Sequence, residues 1–384
     1  MKALLFITAL LYQQISANES NPPPMAQLLL RHIRSSDLAS WKLLADVLDT
    51  AWLDENDAVD AGGEGRYNPA RRKALHWLSG DEYALGLSRD VEEKNDADVN
   101  VDEDTKHIQL LQRYALATIY FATSAGTGGW NRCSPLVGER NADTETPCES
   151  DENRHLSPSN HLEWEGINGK KRLVTWLDFN GRNLSNCDLS NNGDNHDGAD
   201  YAVLPLELTL LSPSLELMWL HSNPLCGSLP SYIGEFTNLQ SLSLYSTNMG
   251  GTLPPSLYEL DKLASLRLYK SNFGGQISGD IKRLQNLKWM WIHENQFTGP
   301  LPGELRELNG LEGITLHGNR FHDGDNSSAL CHLLKNNLKY LWTDCEKGSV
   351  WKKGEEWMVM EGERACECCT RCFPKETGAA VATD

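Results

Sequence analysis

LELMWLHSNPLCGSLP from Leu215, LQSLSLYSTNMGGTLP from Leu239, LASLRLYKSNFGGQIS from Leu263 and LKWMWIHENQFTGPLP from Leu287 are four copies of one pattern. Each copy starts 24 residues after the previous one. A fifth copy, LEGITLHGNRF, begins on schedule at Leu311 and leaves the pattern after Phe321. A fixed period of this length predicts a repeat architecture, in which each unit buries its apolar face against its neighbours.

The positions inside the unit have separate physical roles. The apolar positions are expected to form a shared core that one repeat cannot close alone. In the first full copy they are Leu215, Met218, Leu220 and Leu225. A second set, Asn223, Asn295 and Asn319, supplies inward amides that can bond the backbone of neighbouring turns. Thr247 and Ser271 place shorter hydroxyls at the same position, which predicts a weaker ladder there.

Glycine and proline also recur at fixed places. The glycines, where the chain must bend sharply without a Cβ, are Gly227, Gly251, Gly275 and Gly299. The prolines that fix φ beyond the bend are Pro230, Pro254 and Pro302, with Ser278 as the exception. An array of amphipathic helices would not tolerate both residues in every unit. Degenerate copies begin at Val174 (VTWLDFNGRNL) and at Leu338 (LKYLWTDC).

The shared pattern LxxLxLxxNxLxGxLPxxIGxLTN resembles the plant-type extracellular leucine-rich repeat. This resemblance implies an α/β repeat solenoid, a right-handed superhelix with a parallel β-sheet on its concave face. A mostly helical N-terminal region is expected to precede it. RRKALHWL, the acidic spacer and QRYALATIYFATSAGTGGW resemble the N-terminal region of secreted leucine-rich-repeat proteins of diatoms.

The segments WEGI and VTWLDFNG are similar to the cap that precedes the first plant-type repeat. That cap carries cysteines beside its tryptophan, whereas His161, Glu163 and Asn168 stand near Trp164 here. Cys133 and Cys148 are therefore expected to do the capping.

The chain start predicts secretion. Lys2 gives a positive charge, residues 3–11 are almost wholly apolar, and Ala17 offers a small residue for cleavage, as in a signal peptide. An even number of cysteines, ten, fits disulfides in an oxidising compartment. The three glycosylation sequons give weak support and are Asn18, Asn183 and Asn326. No later apolar run approaches transmembrane length.

Helical spacing predicts three helices before the repeats. They are 37–52, the segment from Asn68 and Pro69 to Gly80, and 106–124. The acid-rich stretch 90–104 is interpreted as a solvated linker. The predicted regions are a signal peptide at 1–17, an N-terminal helical region ending in the acidic linker at 18–105, a helical, cysteine-containing cap at 106–172, the solenoid at 173–345, and a cysteine-rich cap and tail at 346–384.

The C-terminal cysteines are expected to form disulfides that close the end of the solenoid. The predicted disulfide cysteines of both flanks are Cys133, Cys148, Cys331, Cys345, Cys366, Cys368, Cys369 and Cys372. A zinc site is the alternative, but adjacent cysteines at 368 and 369 and a secreted context favour oxidation. The pairing does not follow from sequence.

Motifs for catalysis are absent from the sequence. It contains no HExxH, GxSxG, Walker-type or kinase signature, so no catalytic residue, metal or cofactor is predicted. The acidic runs around Asp194 and Asp323 lack the EF-hand order and are interpreted as solvated loops. An enzyme in residues 18–170 remains a weaker alternative.

Two columns of side chains are expected on the concave face, because stacked parallel strands place equivalent residues about 4.8 Å apart. The first column is Asp178, Trp219, Ser243, Arg267, Trp291, Thr315 and Trp342. The second is Asn180, His221, Tyr245, Tyr269, His293, His317 and Asp344. Exposed aromatic side chains concentrated on one face favour a binding site. The predicted ligand-binding residues are Trp219, His221, Tyr245, Arg267, Tyr269, Trp289, Trp291, His293, His317 and Trp342.

Three functions are consistent with these patterns. The leading hypothesis is recognition of an extracellular protein, peptide or glycan, as the plant-type resemblance implies for receptors and inhibitors. A structural or adhesive cell-wall role and an N-terminal enzyme are the alternatives. The formal net charge of −18 argues against nucleic acid and anionic membranes as partners. Imidazoles with an ordinary pKa near 6.5 would make binding sensitive to pH between about 5 and 7.

Overall fold

The computed structural model describes residues 27, 29, 33, 69–81, 84, 103–123, 167–185, 204–321, 338–345, 350–353, 356–359 and 371–374. Two helices come first: α1 (Pro69–Gly80) and α2 (Glu103–Thr123). Both confirm predicted helices, although α2 begins three residues earlier than expected. The third predicted helix, 37–52, lies outside the described residues.

A nine-stranded sheet runs through the molecule. Its strands are β1 (Ile167–Lys170), β2 (Leu173–Asp178), β3 (Leu217–Trp219), β5 (Ser241–Ser243), β7 (Ser265–Arg267), β9 (Trp289–Trp291), β11 (Gly313–Thr315), β13 (Tyr340–Cys345) and β16 (Arg371–Pro374), in that spatial order. Within this sheet every pairing from β2 to β16 is parallel, and β1 and β2 form an antiparallel hairpin. The degenerate copies at Val174 and Leu338 therefore continue the repeat stack, as predicted.

A second, five-stranded parallel sheet lies on the other side of the same repeats. It consists of β4 (Cys226–Ser228), β6 (Asn248–Thr252), β8 (Asn272–Gly275), β10 (Gln296–Gly299) and β12 (Arg320–Phe321). The repeating glycines make the bends in these strands, and Gly251 and Gly275 have φ values of 77° and 75°. Four repeats then form a short 3-10 helix, which follows a proline in three of them and Ser278 in the other. These helices are Ser231–Glu235, Pro255–Glu259, Gly279–Arg283 and Gly303–Glu307.

The core between the two sheets is built from the predicted apolar positions. Leu215, Met218, Leu220 and Leu225 are buried, as are their counterparts in later repeats except Phe321, which is partly buried. At Ser278, which stands in place of a proline, the hydroxyl accepts a hydrogen bond from the Asp280 N–H and caps the 3-10 helix. The predicted class, a leucine-rich-repeat solenoid with a helical N-terminal region, is confirmed by this strand order and register.

The asparagine ladder forms as predicted. Asn295 Nδ2 donates to the carbonyls of Leu268, Ile292 and His293, and its Oδ1 accepts from the Phe273 N–H at 3.0 Å. Asn223 and Asn319 make equivalent bonds.

Thr247 and Ser271 interrupt this ladder. Their hydroxyls each donate to the Leu244 carbonyl, at 2.8 and 3.2 Å. A single hydroxyl offers fewer donors and less reach than an amide, so these two repeats hold fewer neighbouring backbone groups.

Helix α2 closes the N-terminal end of the stack. The amide of Gln112 accepts from the Val174 N–H and donates to the Ser214 hydroxyl, and Gln109 donates to the Arg172 carbonyl. The first repeat strand therefore exchanges hydrogen bonds with helix side chains where a further repeat would otherwise stack.

A buried ion pair fixes helix α2 to helix α1. Arg113 donates to both carboxylate oxygens of Asp81 at 2.7 Å, and its guanidinium lies 5.1 Å from the centre of the Trp77 ring. The bidentate geometry compensates the desolvation of both charges. The predicted capping cysteines, Cys133 and Cys148, lie outside the described residues.

At the C-terminal end, the cysteine-rich tail returns to the sheet. β16 pairs with β13, so that Cys372 faces Thr343 across the ladder, and β14 (Val350–Lys353) and β15 (Glu356–Val359) form a separate hairpin. The predicted signal peptide, the acidic loops around 194 and 323, and Cys331, Cys366, Cys368 and Cys369 lie outside the described residues. Cys345 and Cys372 are described only in their backbone.

Candidate functional site

The strand register aligns the predicted first column along the concave face. We call it the middle column: Asp178, Trp219, Ser243, Arg267, Trp291, Thr315 and Trp342 are consecutive partners across β2 to β13. The residues two positions earlier form a leading column of Trp176, Leu217, Ser241, Ser265, Trp289, Gly313 and Tyr340. Both columns consist of side chains that alternate with the buried core residues.

Five residues of the predicted second column form a continuous stack, which we call the ring ladder: His221, Tyr245, Tyr269, His293 and His317. Their ring centres are 4.2, 4.2, 4.5 and 4.5 Å apart in that order. The angles between successive ring planes are 21°, 8°, 8° and 17°. The 24-residue period thus places one ring from each of five repeats in direct contact.

This stacking determines which parts of the rings can meet a ligand. Each inner ring has a neighbour against both faces, so a ligand reaches the ladder through ring edges. Two imidazoles also use one ring nitrogen in a contact within the protein. Nδ1 of His221 lies 3.2 Å from the Ser243 hydroxyl, and Nδ1 of His293 lies 2.7 Å from the Thr315 hydroxyl. The Nε2 atoms of His221 and His293 and the phenol hydroxyls of the ladder are further hydrogen-bonding groups on the ring edges.

An aromatic cluster lies beside the ladder at the C-terminal half of the face. The Arg267 guanidinium is 4.7 Å from the centre of the Trp291 ring, and Trp289 packs edge-on against Trp291 at 6.2 Å. Tyr340 lies 5.9 Å from Trp289 and is 48% exposed. Gly313 makes room for this arrangement, because a Cβ there would lie 2.8 Å from the Trp289 ring.

Trp219 and Trp342 lie at the two ends of the ladder. Their ring centres are 6.5 Å from His221 and 6.4 Å from His317. Tyr269 also contacts Trp291 at 6.3 Å. All ten side chains predicted to bind ligand therefore belong to one contiguous network of rings and a guanidinium. They are half-buried except for His317, which is 7% exposed.

The electrostatics of the ladder correct one expectation. Burial lowers the pKa of His293 to about 4, and the nearby Lys270 acts in the same direction. Burial also lowers the pKa of His221, an effect that Asp178 opposes and Arg267 reinforces. The expectation that these two imidazoles titrate near 6.5 is wrong, because their rings are stacked and partly removed from water.

Burial likewise raises the pKa of Tyr269, with Tyr245 adding to the shift. The Tyr269 phenol also shares a side-chain hydrogen bond with Tyr245.

Two aromatic residues of the concave face were not among the binding residues predicted from the sequence. Trp176 packs edge-on against Trp219 at 5.1 Å, and Tyr340 extends the C-terminal cluster. Both belong to the leading column, and counting two residues back from Asp178 and Trp342 would have found them. Cys226 was also not among the predicted disulfide cysteines, although it is disulfide-bonded in the structure.

Only one of the three glycosylation sequons falls within the described residues. Asn183 is exposed and has a φ of 59°, a conformation that asparagine adopts more readily than most residues. Asn18 and Asn326 lie outside the described residues. In the described part of the chain, no helix combines the length and apolar character needed to cross a bilayer.

Comparison with known proteins gives similarity at the level of solved structures. No protein-family profile and no curated protein matches the chain. A plant peptide hormone receptor, RGFR1 in complex with RGF2, is 26% identical over 35% of this chain and 22% of that chain, with a TM-score of 0.32. PEPR1 in complex with AtPEP1 is 21% identical over 61% of this chain and 29% of that chain, with a TM-score of 0.41.

A third similar structure is the leucine-rich-repeat ectodomain of the receptor kinase GASSHO1/SCHENGEN3 from Arabidopsis thaliana in complex with CASPARIAN STRIP INTEGRITY FACTOR 2. It is 29% identical over 36% of this chain and 17% of that chain, with a TM-score of 0.33. This chain thus spans less than a third of the length of these three proteins. Because the TM-scores are low, the fold assignment rests on the strand order and register of the chain itself.

Proposed function

We propose that this chain is an extracellular, non-enzymatic leucine-rich-repeat protein of plant type that binds a protein or peptide ligand across its concave face. The observation that carries the proposal is the contiguous network of ten aromatic, imidazole and guanidinium side chains. Tryptophan, tyrosine and arginine are the residue types that dominate binding energy at protein interfaces.

The geometry favours a polypeptide ligand over a sugar. Ring faces that stack on one another at 4.2–4.5 Å are not available to pack on a sugar ring. The row of hydroxyls and imidazole nitrogens at the ladder edge instead suits the amides of an extended chain, and the exposed Tyr340 offers an anchor for an apolar side chain.

Secretion is the second part of the proposal. It is supported by the leader-like residues 1–17, the disulfide at Cys226 and the exposed sequon at Asn183. An extracellular location also fits a net charge of −18, which favours neutral or cationic ligands. We further propose that the similarity of the N-terminal region to diatom proteins reflects common descent.

A binding screen tests the function. The purified chain from residue 18 to 384 is exposed to secreted proteins, to peptide libraries and to a glycan array. A Trp289→Ala/Trp291→Ala double variant tests the face, and Arg306→Ala, an exposed change in a 3-10 helix away from that face, is the matched control. Polypeptide ligands that lose affinity only with the double variant support the proposal. Glycan ligands alone, or stable wall association without a soluble ligand, contradict it.

A further inference from the structure

A group of potential metal ligands lies at the C-terminal end of the ring ladder. His293, Glu294 and His317 each offer one donor atom, and these atoms all lie within 4.8 Å of one another. His293 and Glu294 follow β9, while His317 follows β11 in the next repeat. The 24-residue period therefore brings together one His-Glu pair and one further histidine.

We propose that His293, Glu294 and His317 bind a divalent transition-metal ion. Two imidazole nitrogens and one carboxylate suit zinc and its neighbours in the first row, with water completing the coordination. Calcium and magnesium prefer oxygen ligands alone and are expected to bind poorly. The inference does not depend on the concave face binding a macromolecule.

The surroundings of His293 prepare it as a ligand. The Thr315 hydroxyl lies 2.7 Å from Nδ1, which orients the ring and leaves Nε2 as the nitrogen available to an ion. Such a partner to the other ring nitrogen accompanies most metal-binding histidines.

Metal binding requires a local rearrangement. Metal–nitrogen and metal–oxygen distances of about 2.0–2.2 Å draw ligand atoms closer together than 4.8 Å. The rings of His293 and His317 lie nearly parallel, with centres 4.5 Å apart, so they must tilt toward each other for their lone pairs to converge. Binding is consequently expected to unstack this end of the ladder.

Lys270 opposes the metal. Its amine lies 3.9 Å from a carboxylate oxygen of Glu294. A cation in the site must compete with Lys270 for Glu294 and is repelled by its charge. Removing Lys270 should therefore strengthen metal binding, whereas a role of these residues in packing alone predicts no such effect.

The test uses the full mature chain after treatment with a chelator. Titration with Co²⁺, followed by visible absorption, and with Zn²⁺, followed by calorimetry, should reveal a site with nitrogen and oxygen ligands. Glu294→Gln, His293→Phe and His317→Phe should each weaken it at least about tenfold, since even the loss of an outer hydrogen-bond partner weakens metal sites by about 10–100-fold. Thr315→Val should weaken it by about tenfold. Lys270→Ala should tighten it.

His221→Phe is the matched control, because it removes a ladder imidazole whose stacking neighbour is Tyr245 rather than another histidine. It should leave metal affinity unchanged. Circular dichroism checks that the phenylalanine variants fold, and the exposed Glu294→Gln and Lys270→Ala test the site if they do not. Unchanged affinity in Glu294→Gln and Lys270→Ala, or Co²⁺ spectra dominated by thiolate charge-transfer bands, would assign any bound metal elsewhere and overturn the proposal.

Discussion

The two faces of the central sheet differ in what they tolerate. In β5, β7 and β9 the middle residues Leu242, Leu266 and Met290 point into the core, and each is at most 1% exposed. The next residue of each strand lies on the concave face. These residues are Ser243, Arg267 and Trp291, which differ in size, charge and polarity. The residue type on the core side is therefore similar from repeat to repeat, whereas the residue type on the concave side changes.

This difference separates stability from recognition. Every core position must fill the same volume between the same two sheets, so the repeat restricts it to leucine-type residues. The concave positions do not have to fill that volume, and each repeat can therefore contribute a different side chain. A substitution on the core side should lower the free energy of unfolding, whereas a substitution on the concave side should lower the affinity for a ligand.

Leu266→Asp should unfold the solenoid. Leu266 is fully buried in the middle of the stack, and an unpaired carboxylate at that point costs several kcal/mol against a total stability of about 5–15 kcal/mol. Circular dichroism and thermal melting measure the loss. Arg267→Asp, the adjacent change on the concave face, is the control and should leave a cooperative transition. Equal melting temperatures for Leu266→Asp and wild type would contradict the assigned core.

Asn295→Ala should lower the free energy of unfolding by about 3 kcal/mol, because it leaves several buried backbone groups without their hydrogen-bond partner. Ser271→Ala removes weaker bonds at the equivalent position and should cost about 1 kcal/mol. Denaturant unfolding compares the two. Similar losses in both variants would show that the amide adds nothing over the hydroxyl.

Tyr269→Ala and Trp291→Ala should each weaken binding of an identified ligand by about 2 kcal/mol, or about thirtyfold. Both side chains are only half-buried, so the fold should persist. Tyr269→Phe keeps the stack between Tyr245 and His293 and removes only the hydroxyl, which separates ring packing from hydrogen bonding. A ligand that binds the Tyr269→Ala/Trp291→Ala double variant as tightly as wild type would place the site elsewhere.

His221→Phe should give the smallest effect, a change in how stability depends on pH. Because burial lowers the pKa of His221 below its ordinary 6.5, the unfolded chain binds the proton more readily. The native state should therefore lose stability as the pH falls below about 6.5, and the phenylalanine variant should lose less. Melting temperatures at pH 7.5 and 5 give the comparison. A larger acid-induced drop in the variant than in wild type would reverse the predicted sign.

The interior of the repeats was predictable from the sequence because it depends on a strict period. Leu266, Asn295 and Pro254 each lie 24 residues from an identical residue of a neighbouring repeat, so the role assigned in one copy applies to the others. The flanks lack such redundancy. Nothing in the local sequence indicated that Gln112 bonds the first repeat strand, or that residues 371–374 return to pair with β13, because these contacts join segments far apart in the chain.

The sequence by itself determined the period, the buried positions and the membership of the concave columns, since a fixed repeat assigns every residue to the same place in a parallel stack. Tertiary structure decided how those side chains behave. The stacking of Tyr269 between Tyr245 and His293 covers ring faces that the sequence suggested were exposed. The low pKa of His293 and the placement of Trp289 over Gly313 also result from contacts between side chains of neighbouring repeats. Desolvation and ring packing depend on distances between neighbouring strands, and those distances exist only once the repeats have stacked.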